Sequence, residues 1–99
     1  MKKIQVLTSA LNEEDNLDEF YSRLNDVFST ENNYSWELLI VDNGSSDHTW
    51  NLIEKLSLQY NNVSGYRMSR IFSLDSAFTL LLKEFNADLA ILMASDLQD

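Results

Sequence analysis

The 99 residues, 44% of them hydrophobic, suffice for one small domain at the marginal end for burying a core of its own. Seven Lys and Arg against 16 Asp and Glu leave a net charge of −9, which excludes the basic footprint that a nucleic-acid backbone or an anionic membrane face requires. The absence of cysteine excludes disulfides and thiolate metal sites, and no apolar run is long enough for a signal segment or a membrane span.

Four short apolar runs alternate with amphipathic stretches. Ile4 to Thr8 reads as the first strand. The helix predicted after it carries Leu17, Phe20, Tyr21, Leu24, Val27 and Phe28 on one stripe, with Asn12 as its cap. Trp36 to Val41 is a second strand, and its nearly unbroken apolar run marks it as central, covered on both faces. A second helix is expected from about Asp47, burying Trp50, Ile53, Leu56 and Tyr60, with Ser45 or Ser46 as cap. Val63 to Met68 is a third strand, and Leu74, Ala77, Phe78, Leu81, Leu82 and Phe85 mark a third helix capped by Ser73. Leu89 to Ala94 is a fourth strand, read like the second as central. Strand and helix in strict alternation imply an α/β fold: a Rossmann-like, three-layer α/β/α arrangement on a mainly parallel sheet of about four strands.

In an open parallel sheet, ligands bind beyond the carboxyl ends of the strands. Three polar tips fall there: Ser9 to Glu14, Asp42 to Asp47, and Ser95 to Asp99. Glu13, Glu14 and Asp15 read most simply as the first turn of a helix, where negative charge complements the helix dipole. Asn43-Gly44 reads as a tight turn. Asp42 follows four aliphatic residues, so an acceptor-only group is expected at a strand end, suited to a base or ribose N–H or O–H. Asp96, Gln98 and Asp99 offer the oxygen donors a hard cation prefers, the simpler reading being a solvated acidic loop. For an acidic domain that holds a phosphorylated ligand, such a cation between its own carboxylates and the phosphates is the simplest remedy for their repulsion. With two glycines, Gly44 and Gly65, the chain supplies neither a dinucleotide fingerprint nor a P-loop. His48 has no second His or Cys nearby and reads as a helix-terminus residue, and Trp36 and Trp50 read as core.

Four segments together resemble the family 2 glycosyltransferases, especially the polyprenyl-phosphate (dolichol- or undecaprenyl-phosphate) sugar transferases. Ala10 to Leu17 (ALNEEDNL) is similar to the family's P-x-Y-N-E-E-x-N-L opening, and Val41 to Thr49 (VDNGSSDHT) to V-D-D-G-S-x-D-x-T. Ser69-Arg70-Ile71-Phe72 is similar to S-R-N-F-G, and Asp96-Leu97-Gln98-Asp99 to the end of D-A-D-L-Q-D. The chain departs from the pattern at Asn43, which replaces an Asp, and at Ala94, which stands where the first Asp of D-x-D would be.

The resemblance implies the nucleotide-sugar-binding, N-terminal part of a GT-A fold, spanning residues 1–99 and truncated before an acceptor half. It implies an inverting glycosyltransferase that moves a sugar from a UDP- or GDP-linked donor to a polyprenyl phosphate or a growing polysaccharide of the cell envelope. By the same resemblance the nucleotide would be held by Ala10, Leu11, Asn12, Glu13, Asp42, Asn43, Ser69, Arg70 and Ser95, and a Mg²⁺ or Mn²⁺ by Asp96 with Gln98 beside it. The catalytic base is expected beyond residue 99, so these residues alone are expected to be inactive. The longer protein is expected in the cytoplasm, at the cytoplasmic face of the membrane, and the open edges of a half-sheet are a route to a homodimer. Two rival readings are a non-catalytic nucleotide-sugar-binding module and an acidic flavodoxin- or receiver-like interaction domain.

Overall fold

The computed structural model describes residues 2–30, 33–68 and 86–94. Within them the chain runs β1 (Lys2–Ala10), α1 (Leu17–Phe28), β2 (Tyr34–Asp42), α2 (Thr49–Gln59), β3 (Val63–Arg67) and β4 (Leu89–Ala94). All pairings are parallel, and the strand order is β3-β2-β1-β4. The chain therefore steps outward from β1 through β2 to β3, and β4 returns to the opposite side of β1. Such a reversal opens a crevice at the carboxyl ends of the two strands that flank it, here β1 and β4.

Strand alternation decides which residues meet the helices. Val6 and Ala10 of β1, Leu38 and Ile40 of β2 and Val63 of β3 face the layer formed by α1 and α2, where they join Leu17, Phe20, Leu24, Ile53 and Leu56 in one buried cluster. Full burial of each large side chain here contributes ~1.5–3 kcal/mol. Leu7, Leu39 and Val41 point to the other face and are buried with Tyr66, Met68 and Ala90 packed against them. The third helix, expected around residues 74–85 with its Ser73 cap, lies outside the described residues.

Gly65 is set by close approach between sheet and helix. A Cβ there would fall 2.5 Å from Ile53 Cγ2, so only glycine lets α2 lie this near to β3. At the far end of the sheet, Tyr21 stacks on Tyr60 with ring centroids 4.2 Å apart and meets Trp36 at 5.5 Å, its hydroxyl donating to Asn62 Oδ1 at 3.0 Å. Burial pushes the Tyr21 phenol above its ordinary value, and the Asn62 bond only partly offsets this. Among the described residues, Phe20, Tyr21, Phe28, Trp36, Trp50 and Tyr60 thus belong to or pack against the core, as the spacing predicts.

Several expectations are corrected. β4 is an edge among the described strands and β1 takes the interior place, with Leu89 and Leu92 half exposed on β4. Apolar continuity reports two covered faces; it does not report hydrogen-bonded neighbours on both sides. Val27 stands 62% exposed, off the stripe of Leu17, Phe20, Tyr21 and Leu24, which Phe28 continues by stacking on Trp36. The N-cap of α1 is Asn16, and Asn12 lies four residues upstream in a left-handed conformation with φ 54°. Glu13, Glu14 and Asp15 consequently precede the helix, whose first turn carries Asp18 and Glu19. The second helix begins at Thr49 with His48 as N-cap, and neither Ser45 nor Ser46 caps it.

Candidate functional site

The loops after β1 and β2 are locked together at the carboxyl rim of the sheet. The left-handed turn at Asn12 points its side-chain oxygen across to the second loop, where it accepts the Ser46 N–H at 2.9 Å and the Asp47 N–H at 3.4 Å. Asn12 N–H donates in return to Ser45 Oγ at 2.9 Å, and Glu13 N–H to Thr49 Oγ1 at 2.8 Å. Asp47 completes the lock by accepting from Glu14 N–H at 3.4 Å and Thr49 N–H at 2.9 Å, and from the Thr49 hydroxyl. Burial alone would raise the Asp47 carboxyl; the bonds from Thr49 and Glu14 outweigh it and hold it below its ordinary value. Below this lock, Asn43 N–H donates to the Ala10 carbonyl at 2.8 Å, tying the two strand ends.

Asp42 is the chemically distinctive residue of the rim. It is the last residue of β2, faces the helix layer and is fully buried. Its Oδ1 accepts the Ser45 N–H at 3.1 Å, which shapes the turn through Gly44 at φ 82°. Its Oδ2 has no hydrogen-bond partner, and among the described residues it is the one buried side-chain oxygen or nitrogen so placed. A buried polar atom without a partner costs ~1–3 kcal/mol, more when charged, so such an atom at this rim is a candidate acceptor for a ligand's donor. The nearest cation is Arg67, paired with Asp42 in the β2–β3 register, whose Nε lies 3.9 Å from Oδ2 and whose guanidinium sits 5.6 Å from the centre of the Trp50 ring. A recess of ≈ 380 Å³ opens beside them, lined by Gly44, Ser45, Arg67 and Met68.

The rim gathers Ala10, Leu11, Asn12, Glu13, Asp42 and Asn43 of the expected site. Ala10 and Asn43 are buried and structural at the level of the backbone, Leu11 is 39% exposed, and Glu13 Oε2 accepts from Asn16 Nδ2 at 2.8 Å. Ser69, Arg70, Ser95, Asp96 and Gln98 lie outside the described residues. Among the described residues no three His, Cys, Asp or Glu side chains are grouped for a metal ion. The rim carboxylates Glu13 and Asp47 are committed to Asn16, Thr49 and Glu14. A larger hollow of ≈ 570 Å³ runs along the outer side of α2 over Asn51, Glu54, Lys55, Leu58 and Gln59; it is remote from the strand ends and has no buried unpartnered group. Sequence reasoning missed Arg67 and Thr49 at this rim, whereas Trp50, read as core, packs against the core and also meets Arg67. Arg67 meets Asp42 through the β2–β3 register that pairs Leu38 with Val63.

The profile of Glycosyl transferase family 2 matches residues 5–99. The chain belongs to this family. Its relatives include a dolichol-phosphate mannosyltransferase of Pyrococcus furiosus, 33% identical over 97% of this chain and 26% of the relative. Another is an undecaprenyl-phosphate 4-deoxy-4-formamido-L-arabinose transferase of Proteus mirabilis, 29% identical over 100% of this chain and 30% of the relative. The chain thus spans between a quarter and a third of the length of these curated relatives. Among solved structures, the mannosyltransferase PcManGT of Pyrobaculum calidifontis, in complex with GDP-Man and Mn²⁺, superposes with a TM-score of 0.79 at 15% identity, over 96% of this chain and 28% of that one. S. aureus TarS 1-349 in complex with UDP gives 0.77 at 23% identity, over 95% of this chain and 27% of that one. At these identities the structures establish the fold, which is that of the GT-A glycosyltransferases. Family 2 membership favours sugar transfer over the receiver-like alternative, and the four-stranded parallel sheet is the one expected from the sequence.

Proposed function

We propose that the protein carrying this chain is an inverting glycosyltransferase, and that residues 1–99 are the N-terminal part of its catalytic domain and hold the nucleotide of a UDP- or GDP-linked sugar. The observation that carries this reading is the fully buried Asp42 carboxylate, whose Oδ2 lacks a donor at the sheet's ligand-binding edge. A base or ribose N–H or O–H supplies that donor, and a hydrogen bond to a charged acceptor is worth ~1.5–3 kcal/mol. The relatives' names, a dolichol-phosphate mannosyltransferase and an undecaprenyl-phosphate sugar transferase, support a lipid-phosphate acceptor, with a growing glycan as the other choice.

In this reading Leu11, Asn12, Glu13, Asn43, Ser69, Arg70 and Ser95 surround the nucleotide. The lock between the two loops holds Asp42 and the β1 tip at fixed separation, so the donor is bound by a pre-formed edge. Asp96, with Gln98, would hold a Mg²⁺ or Mn²⁺, as the Mn²⁺ in the complex of the similar mannosyltransferase suggests. That cation, when bound, neutralises charge on the departing nucleoside diphosphate. The acceptor attacks the anomeric carbon from the face opposite the leaving group, and the base that takes an acceptor proton belongs to the remainder of the protein. No helix among the described residues is long and apolar enough to cross a membrane; work at the cytoplasmic face and pairing into homodimers are further parts of the proposal.

Calorimetric titration of the protein with UDP- and GDP-sugars, with and without Mn²⁺, tests the reading. Binding of one donor class, strengthened by Mn²⁺ and losing that metal-dependent part in Asp96→Ala, is the expected result. Failure of both donor classes to bind overturns it.

A further inference from the structure

Beyond the Asp42 contact, the rim carries a cation for which neither the core nor the loop lock has a use. Arg67 ends β3 directly beside Asp42, and the two side chains share the helix-facing side of the sheet. Its side chain is 57% exposed while that of Asp42 is fully buried, so the guanidinium roofs the carboxylate from the solvent side. At 3.9 Å the Nε to Oδ2 separation is too long for a hydrogen bond and leaves the Oδ2 lone pair unused. The Trp50 ring lies 5.6 Å from the guanidinium carbon, within the range at which a cation is attracted to an aromatic face. The recess next to the pair is walled by Gly44, which has no side chain to obstruct it, and by Ser45, Arg67 and Met68.

We propose that Arg67 is a specificity-determining residue of the donor site, pairing its guanidinium donors with the Asp42 Oδ2 acceptor so that together they select the nucleobase. The inference rests on the donor-site reading above and extends it. An acceptor next to a donor is complementary to a base edge with a ring N–H next to a carbonyl. Uracil presents N3–H beside O4, and guanine N1–H beside O6. Cytosine and adenine present the reverse, a bare ring nitrogen beside an amino group, and would set acceptor against acceptor and donor against donor. A rigid guanidinium suits this task because its N–H groups are fixed in one plane, whereas an ammonium would act as a point charge. A matched two-bond edge discriminates against the wrong base by ~10- to 100-fold. Arg67 reaches the edge by pivoting off the carboxylate, which its exposed side chain permits, and that movement uncovers Oδ2 for the ring N–H.

The test is calorimetric titration of UDP, GDP, CDP and ADP, each with Mn²⁺, into the protein and its Arg67→Ala, Arg67→Lys and Arg67→Gln variants, with a thermal melt of each to establish folding. The wild type is expected to prefer UDP or GDP over both CDP and ADP. In Arg67→Ala that preference should fall at least tenfold, with Arg67→Lys recovering part of it. If Arg67→Ala does not fold, the same comparison is read from Arg67→Gln. An equal weakening of all four nucleotides means that Arg67 acts on the phosphates and overturns the proposal, as does an unchanged preference or a wild type that does not distinguish the four bases. A wild type that binds none of the four overturns the donor-site reading itself, and this inference with it.

Discussion

Asp42 combines two demands on one side chain. One oxygen shapes the turn by accepting the Ser45 N–H, and the other has no hydrogen-bond partner, with Arg67 Nε 3.9 Å away. Asp42→Asn keeps the first function and puts an amide N–H₂ where the acceptor was, facing the Arg67 donors. We expect a folded protein whose nucleotide affinity is lower by ~10- to 100-fold, read by calorimetry; unchanged affinity would remove Asp42 from the site. Asp47 lends itself to a pH test. Its folded carboxyl lies below the ordinary value of 3.8, so its contribution to stability is fully present above that value and is lost as pH falls through the lower folded value. Denaturant midpoints at about pH 7 and about pH 3 should therefore differ less in Asp47→Asn than in the wild type. The importance of Asp42 was legible because four aliphatic residues before it announce a buried strand. Arg67 was not, because its partner is set by the register between two strands, which no single segment encodes.

At the level of elements, strands and helices were legible from periodicity while their ends were not. Asn12 looks like a cap in sequence, yet a left-handed backbone and three acceptor contacts to the next loop make it a bolt between loops. Capping and bridging use the same side-chain oxygen, and only the tertiary neighbour decides between them. Thr49→Val removes the acceptor for the Glu13 N–H and one donor to Asp47. It should cost ~1–3 kcal/mol and lower the melting temperature by about 4–8 °C per kcal/mol. Gly65→Ala tests the helix–sheet contact. A methyl 2.5 Å from Ile53 Cγ2 cannot be absorbed without moving α2, so a loss of ~1–3 kcal/mol is expected in the same melt. An unshifted melting temperature would show that α2 can retreat from β3 without cost.

Across the whole molecule, the order β3-β2-β1-β4 puts the reversal of chain direction between β1 and β4 and gathers the polar tips of β1 and β2 at one rim. The order itself was not legible: alternation of strand and helix implies parallel strands but not which side of β1 the last one takes. The chain's net charge of −9 disfavours a diphosphate without a cation, which is why the proposed donor site includes one. The most direct test of a nucleotide spanning this rim is an amide chemical-shift titration of the isotope-labelled protein with Mg²⁺ and UDP or GDP. The account predicts the largest shifts at Leu11 to Glu13, Asp42 to Ser45 and Arg67, with the outer face of α2 from Asn51 to Leu58 unmoved. Shifts concentrated on α2, with the Asp42 loop silent, would contradict it.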